Sequence, residues 1–270
     1  MERTDQPSPI LRAGTIGAVG LVTLCDERRR NALSETMIAT LHHTLREMAV
    51  DPGVRAVVIS AEGPAFCAGH DLKELSAFRK APDRGLADFR RVMGACSEMM
   101  LFVGRMAKPV VAAVEGVATA AGCQLVATCD LAVGGASARF QTPGVKIGLF
   151  CSTPMVALSR KVGRAAALDM LLTGEPLDAP SALRIGLLNR VVEPGEALPA
   201  ALRLAEAIAA NAPRSIAIGK SAFYAQAEMG VEEAYGYASE VMSQNMLEAE
   251  AEEGIGAFLG KRAPNWPPTT

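Results

Sequence analysis

Two glycine-bearing segments hold the residue types best suited to chemistry. The first reads Phe66-Cys67-Ala68-Gly69-His70-Asp71-Leu72, followed by Lys73. The second reads Gly116-Val117-Ala118-Thr119-Ala120-Ala121-Gly122-Cys123-Gln124. The His70 imidazole is suited to carrying a proton near neutral pH. Asp71 is suited to capping or bracing its loop rather than to reacting. Gln124 can orient a water through its amide but has no useful proton affinity at neutral pH. The second segment ends where a helix begins, so it offers unpaired backbone N–H groups and the positive end of a helix dipole. Such donors suit a reaction in which negative charge develops on an oxygen.

These segments need rigid elements to hold them. Residues 16–24 read as a first strand. Ser34 is placed to cap a helix whose apolar stripe is Met37, Leu41, Leu45 and Met48. Asp51-Pro52-Gly53 stops it, and residues 54–60 form a strand with both faces covered. The first chemical segment then lies in a loop over residues 61–71. The pattern repeats: helix over 89–106, strand over 109–114, loop over 116–122, helix over 123–128, strand near 131–133. Alternating strands and helices argue for an α/β core with parallel pairing. From Thr153 the chain turns helical. A short strand at 188–192 interrupts it, and three amphipathic helices follow over 198–210, 215–229 and 231–247. The organisation is therefore a core over residues 1–200 and a helical region over 201–270.

Composition narrows the class. Half of the 270 residues are hydrophobic and 21% are charged, as in a globular protein. A net charge of −2 gives no footprint for nucleic acid. No Gly-x-Gly-x-x-Gly follows the first strand and no phosphate-cradling Gly-Lys-Ser/Thr loop occurs. Six cysteines form no CxxC pair and no metal spacing, so they read as reduced core thiols of a cytoplasmic protein, with Cys151 alone kept under review. No metal is expected. The polar, proline-bearing residues 1–10 lack the apolar run of a secretory signal and the Arg-rich run of a transit peptide. No apolar run is long enough to span a bilayer.

Five motifs in a fixed order, over residues 16–266, resemble the crotonase (enoyl-CoA hydratase/isomerase) superfamily. They are Arg28-Arg29-Arg30-Asn31-Ala32-Leu33, the two segments above, Leu171-Leu172-Thr173-Gly174-Glu175-Pro176 with Gly186-Leu187-Leu188, and the ending Phe258-Leu259-Gly260-Lys261-Arg262-Ala263-Pro264-Asn265-Trp266. The runs 120–126 and 148–154 point to the family's enoyl-CoA hydratase domain-containing protein 3 group. The resemblance implies a core of repeated ββα units and a C-terminal helical trimerisation region that also closes the CoA site. It implies an acyl-CoA thioester as ligand, with coenzyme A part of the substrate and no separate cofactor. A homotrimer or dimer of trimers is implied as well.

By position, the family's two oxyanion donors map to the N–H groups of His70 and Ala121. Ala121 stands where glycine is commoner. The family's two catalytic glutamates map to Gln124 and Gly144, and the neighbouring Thr142 and Pro143 restore no acid. The remaining substrate-contacting positions map to Phe66, Ala68, Gly69, Asp71, Leu72, Val117, Gly122 and Pro143. Arg28, Arg30, Lys73 and Lys261 are cations suited to CoA phosphates. Three functions stay open on these residues. One is a weak or atypical enoyl-CoA hydratase-like enzyme. Another is a malonyl-type decarboxylase, which makes its enolate without a base. The third is a non-catalytic acyl-CoA binder.

Overall fold

The computed structural model describes residues 9–266. Most of the N-terminal segment read as lacking a targeting signal, residues 1–8, lies outside the described residues.

The chain opens with a hairpin, β1 (Leu11–Ile16) and β2 (Val19–Leu24), paired antiparallel around Gly17. A single strand over 16–24 was expected. Gly17, at φ 58°, turns the chain instead, and Ile16 pairs back onto Val19. Helix α1 (Glu35–Val50) begins where Ser34 accepts a hydrogen bond from the Met37 amide. It buries Met37, Leu41, Leu45 and Met48 on one stripe.

Three ββα units follow. The first is β3 (Ala56–Ala61), β4 (Ala65–Cys67) and the helices α2 (Leu72–Phe78) and α3 (Leu86–Arg105). The second is β5 (Val110–Val114), β6 (Val117–Thr119) and α4 (Ala121–Thr128). The third is β7 (Leu131–Gly135), β8 (Arg139–Gln141) and the helices α5 (Ser152–Lys161) and α6 (Arg164–Thr173). Next come β9 (Leu177–Asp178), α7 (Ala179–Arg184), β10 (Arg190–Val192) and α8 (Ala197–Ala209). The chain ends in α9 (Pro213–Gln226), α10 (Val231–Asn245) and α11 (Ala249–Leu259).

The first strands of the units build one sheet, in the order β1-β2-β3-β5-β7-β10. The second strands build another, in the order β4-β6-β8-β9. Pairing is parallel except at β1/β2 and β8/β9. Alternation along the large sheet divides the core. Val57, Ile59, Val110, Ala112 and Val114 face the main core with α1 and α3, while Ala56, Val58, Val111 and Ala113 face α8. Small residues Ala201, Ala205 and Ala209 let α8 lie close to that face. The expected division at residue 200 therefore falls inside α8, which packs on the sheet. Helices α9 and α10 pack on each other and bury no residue fully, leaving Phe223, Val231, Tyr235 and Met242 exposed.

Candidate active site

The ββα repeat places three chain positions side by side. Strands β4, β6 and β8 are neighbours, and the chain leaves their ends at residues 67, 119 and 141. His70, Ala121 and Gly144 each follow within three residues. The three positions belong to equivalent turns of successive repeats, which is why residues 74 positions apart in sequence share one place.

The first two turns present backbone. Gly69, at φ 82°, exposes the next amide; a Cβ there would lie 2.9 Å from the Ala120 Cβ and 3.3 Å from the Ala121 nitrogen. The two turns are thus in contact. Gly122 brings α4 against β4, since a Cβ at that position would lie 2.2 Å from the Cys67 carbonyl oxygen. Neither the His70 nor the Ala121 N–H donates to a backbone carbonyl among the described residues. Ala121 is the first residue of α4, where an amide has no intrahelical acceptor. The sequence suggested a constrained backbone at Ala121, where glycine is commoner. The strain instead falls one residue earlier: Ala120 holds φ 51° and ψ −118°, a conformation that favours glycine.

The surrounding hydrogen bonds fix these turns. Asn31, itself buried and left-handed, donates through Nδ2 to the carbonyls of Glu62 and Ala65 at 2.8 Å each. The Leu33 amide donates to the Gly69 carbonyl at 2.8 Å. Asp71 caps α2, accepting from the Lys73 amide at 2.9 Å, and Arg29 approaches it at 3.4 Å. Phe66 is fully buried under the turn.

The imidazole in the site is held neutral. His70 Nδ1 lies 3.3 Å from the Leu33 carbonyl, and burial holds the imidazole below its ordinary pKa. With Nδ1–H donated, Nε2 carries a lone pair. Among the described residues, four buried side-chain polar atoms lack a partner: Asn31 Oδ1, His70 Nε2, Thr119 Oγ1 and Gln124 Oε1. Three of the four belong to the two site segments. Such atoms cost free energy unless something fills the site. Thr119 escaped the sequence reading because nothing marks the last residue of a three-residue strand.

Gly144 is buried beside Cys151. A Cβ on Gly144 would lie 3.0 Å from Cys151 Sγ and 3.0 Å from the Leu149 carbonyl oxygen. Pro143 begins the short 3-10 turn that carries Gly144. Other carboxylates near in sequence are engaged: Glu115 accepts from the amides of Gly195 and Ala197, and Glu175 pairs with Lys146 at 2.7 Å. Burial pushes the thiols of Cys67, Cys96, Cys123 and Cys129 up to about 12. These four are core thiols.

The structure brings the turn of Ala68, Gly69, His70 and Asp71, which leads into Leu72 and Lys73 of α2, beside the turn of Ala121 and Gly122, with Pro143 and Gly144 following the next strand end. Phe66 lies within β4, Val117 opens β6 at its other end, and Gln124 is one turn into α4. Arg28 and Arg30 lie exposed on the turn before Asn31; the Arg30 carbonyl accepts from the Ala68 amide, tying that turn to the site. Lys261 follows α11, whose tail packs back through Trp266 Nε1, which donates to the Ala210 carbonyl.

Comparison with known proteins agrees with this geometry. The enoyl-CoA hydratase/isomerase family model matches residues 14–268. The rat mitochondrial enoyl-CoA hydratase domain-containing protein 3 is 45% identical over 245 residues, covering 91% of this chain and 80% of that one. A putative enoyl-CoA hydratase of Thermus thermophilus is 40% identical, covering 93% and 98%. The crystal structure of human enoyl Coenzyme A hydratase domain-containing protein 3 superposes with a TM-score of 0.90 at 40% identity, covering 96% and 100%. Five vertebrate relatives are mitochondrial by name, which overturns the expectation of a cytoplasmic protein. Reduced thiols suit both compartments, so they could not separate them. From residue 14 to the C-terminal tail, in sequence and in fold, the chain belongs to the enoyl-CoA hydratase/isomerase family.

Proposed function

We propose that this protein binds an acyl-CoA thioester and carries out weak or atypical enoyl-CoA hydratase-like chemistry. One observation carries this: among the described residues the His70 and Ala121 amides, in adjacent turns, donate to no backbone carbonyl, and the same two segments carry the unpartnered polar atoms of His70, Thr119 and Gln124. The thioester oxygen accepts from both amides. As a nucleophile adds to the enoyl β-carbon, negative charge moves onto that oxygen, where fixed donors at a helix N-terminus hold it. Losing one such donor typically costs about 100- to 1000-fold in rate.

The acid/base side is where this chain departs from an ordinary hydratase. Gln124 orients water but exchanges no proton at neutral pH. Gly144 supplies no side chain, and Cys151 stands against it. Each missing acid/base group is worth about 100- to 10,000-fold. Arg28, Arg30 and Lys73 are exposed beside the turns and suit CoA phosphates. No separate cofactor is proposed. A homotrimer or dimer of trimers accounts for the exposed apolar residues of α9 and α10. No described helix is long and apolar enough to cross a membrane.

A second reading is decarboxylation of a malonyl-type thioester. The burial that lowers the His70 pKa favours it, because a carboxylate placed beside that ring is partly desolvated and the same amides receive the enolate.

The test is turnover of crotonyl-CoA, a longer enoyl-CoA and methylmalonyl-CoA by wild type and Gln124→Glu, read by mass spectrometry. Slow hydration by wild type that rises in Gln124→Glu supports the first reading. Loss of CO2 alone selects the second. Thermal protection by the thioesters without turnover leaves a binder. Hydration by wild type at an ordinary enzyme rate overturns the emphasis on Gln124 and Gly144.

A further inference from the structure

Cys151 differs from the four core thiols. It sits at the N-terminus of the ten-residue helix α5, yet its side chain makes no capping hydrogen bond. Its sulfur stands 3.0 Å from where a side chain at Gly144 would begin. The chain around it is apolar but not buried: Ile147, Leu149, Phe150, Met155 and Val156 are all exposed. Such a patch beside a buried polar group suits an apolar ligand chain.

A second observation points to the same place. Gln124 is 5% exposed and its Oε1 has no partner. It lies three residues after Ala121 on α4, so the two share a helix face. Side chains on a helix lean toward its N-terminus, the end of α4 at which the Ala121 N–H lies. Helices α4 and α5 pack together, and Cys123, next to Gln124, is close enough to Cys151 to feel its charge. The backbone of Gln141 joins the parts, accepting from the Ala120 amide and contacting the Cys123 thiol.

We propose that Cys151 is a catalytic residue, the proton donor to the α-carbon of a bound enoyl thioester, while Gln124 Oε1 holds the attacking water. The inference rests on the acyl-CoA reading of the site. In the step, a water lone pair forms the C–O bond at the β-carbon. The π pair moves through the α-carbon to the thioester oxygen, held by His70 and Ala121. The enolate collapses as the Cys151 S–H bond breaks and its proton forms the new C–H bond. The thiolate then takes the proton lost by the added water, so thiol and net charge are restored. Burial raises the Cys151 pKa and keeps the resting group protonated. The Gly144 N–H directed at the sulfur, together with the α5 dipole, favours the transient thiolate.

The test measures 3-hydroxybutyryl-CoA formed from crotonyl-CoA by wild type, Cys151→Ala and the near-isosteric Cys151→Ser, with thermal melting of each. Cys151→Ala is expected to lower kcat by about 100-fold with KM little changed. Wild-type kcat is expected to fall on the alkaline side as the thiol titrates, and Cys151→Ser to lose that fall. A Cys151→Ala kcat within about twofold of wild type overturns the donor role alone and leaves the hydration reading standing. Absence of wild-type hydration with crotonyl-CoA still raising the melting temperature overturns both the donor role and hydration. Absence of any thermal shift overturns the thioester site itself.

Discussion

The two halves of the site are built from different material. On the His70 and Ala121 side, the two donors are backbone amides, and their position is set by contacts no side chain can share. On the Gln124, Gly144 and Cys151 side, the groups are side chains, and the same backbone tolerates an amide, a hydrogen and a thiol there. A backbone donor survives any substitution that keeps the turn. A side-chain acid vanishes with one codon. The contrast shows why membership of a family fixes what is bound more firmly than what is done to it.

The contrast breaks first at Gly122. Gly122→Ala would drive a Cβ to 2.2 Å from the Cys67 carbonyl, and a clash with backbone has no cheap relief. A destabilisation of about 3 kcal/mol or more is expected, seen as lost soluble yield or a collapsed melting temperature. A normal melt would show that β4 and α4 are not locked together.

Gln124→Glu tests the other half with a smaller effect. Enoyl-CoA hydration is expected to rise by about 100-fold, because a buried carboxylate becomes a base near neutral pH. Gly144→Glu is expected to give no such gain. Its side chain meets Cys151 Sγ at the first atom, and the melting curve should record a loss of about 1–3 kcal/mol. Equal gains in both variants would refute the difference drawn between these positions.

His70 contributes a pH dependence. Its pKa is lowered on folding by burial, so the unfolded chain binds a proton more readily. Stability from this group is therefore present above its ordinary value of about 6.5 and lost as pH falls below it. His70→Gln should flatten the decline in melting temperature between neutral and mildly acidic pH. The smallest effect is at Ala120, where Ala120→Gly relieves φ 51°, ψ −118° and should raise stability by about 1 kcal/mol. An unchanged melting temperature would mean the turn is not strained.

Much of this was legible in the sequence. Ser34 capping α1, the stop at Asp51 and the turn at Gly174 are local devices, and local chemistry is written locally. The site segments were legible because glycine is demanded where backbones touch, as at Gly69 and Gly122. The short strands β4, β6 and β8 were not. Each has three residues, too few for a period, and each exists only because its neighbours in the other repeats pair with it. Missing them hid the reason that His70, Ala121 and Gly144 meet. Cys151 was visible as an apolar-flanked thiol, but its contact with Gly144 depends on how a 3-10 turn folds back, which no spacing encodes. Lys261 is the opposite case: its motif is clear, while its place depends on where α11 travels.

Helices α9 and α10 have a consequence of mass action. A hairpin that buries no residue fully and carries Phe223, Val231, Tyr235 and Met242 in water is held to its own chain chiefly by polar ties from α9, such as Lys220 to Asp130 at 2.7 Å and the Arg214 and Ser215 amides to Glu250. If a second subunit covers those apolar residues, as the proposed trimer would, dilution becomes a denaturant for that part of the molecule. Amide hydrogens of α9 and α10 would exchange earlier than those of α8 as the protein is diluted, although the three helices are consecutive in the chain.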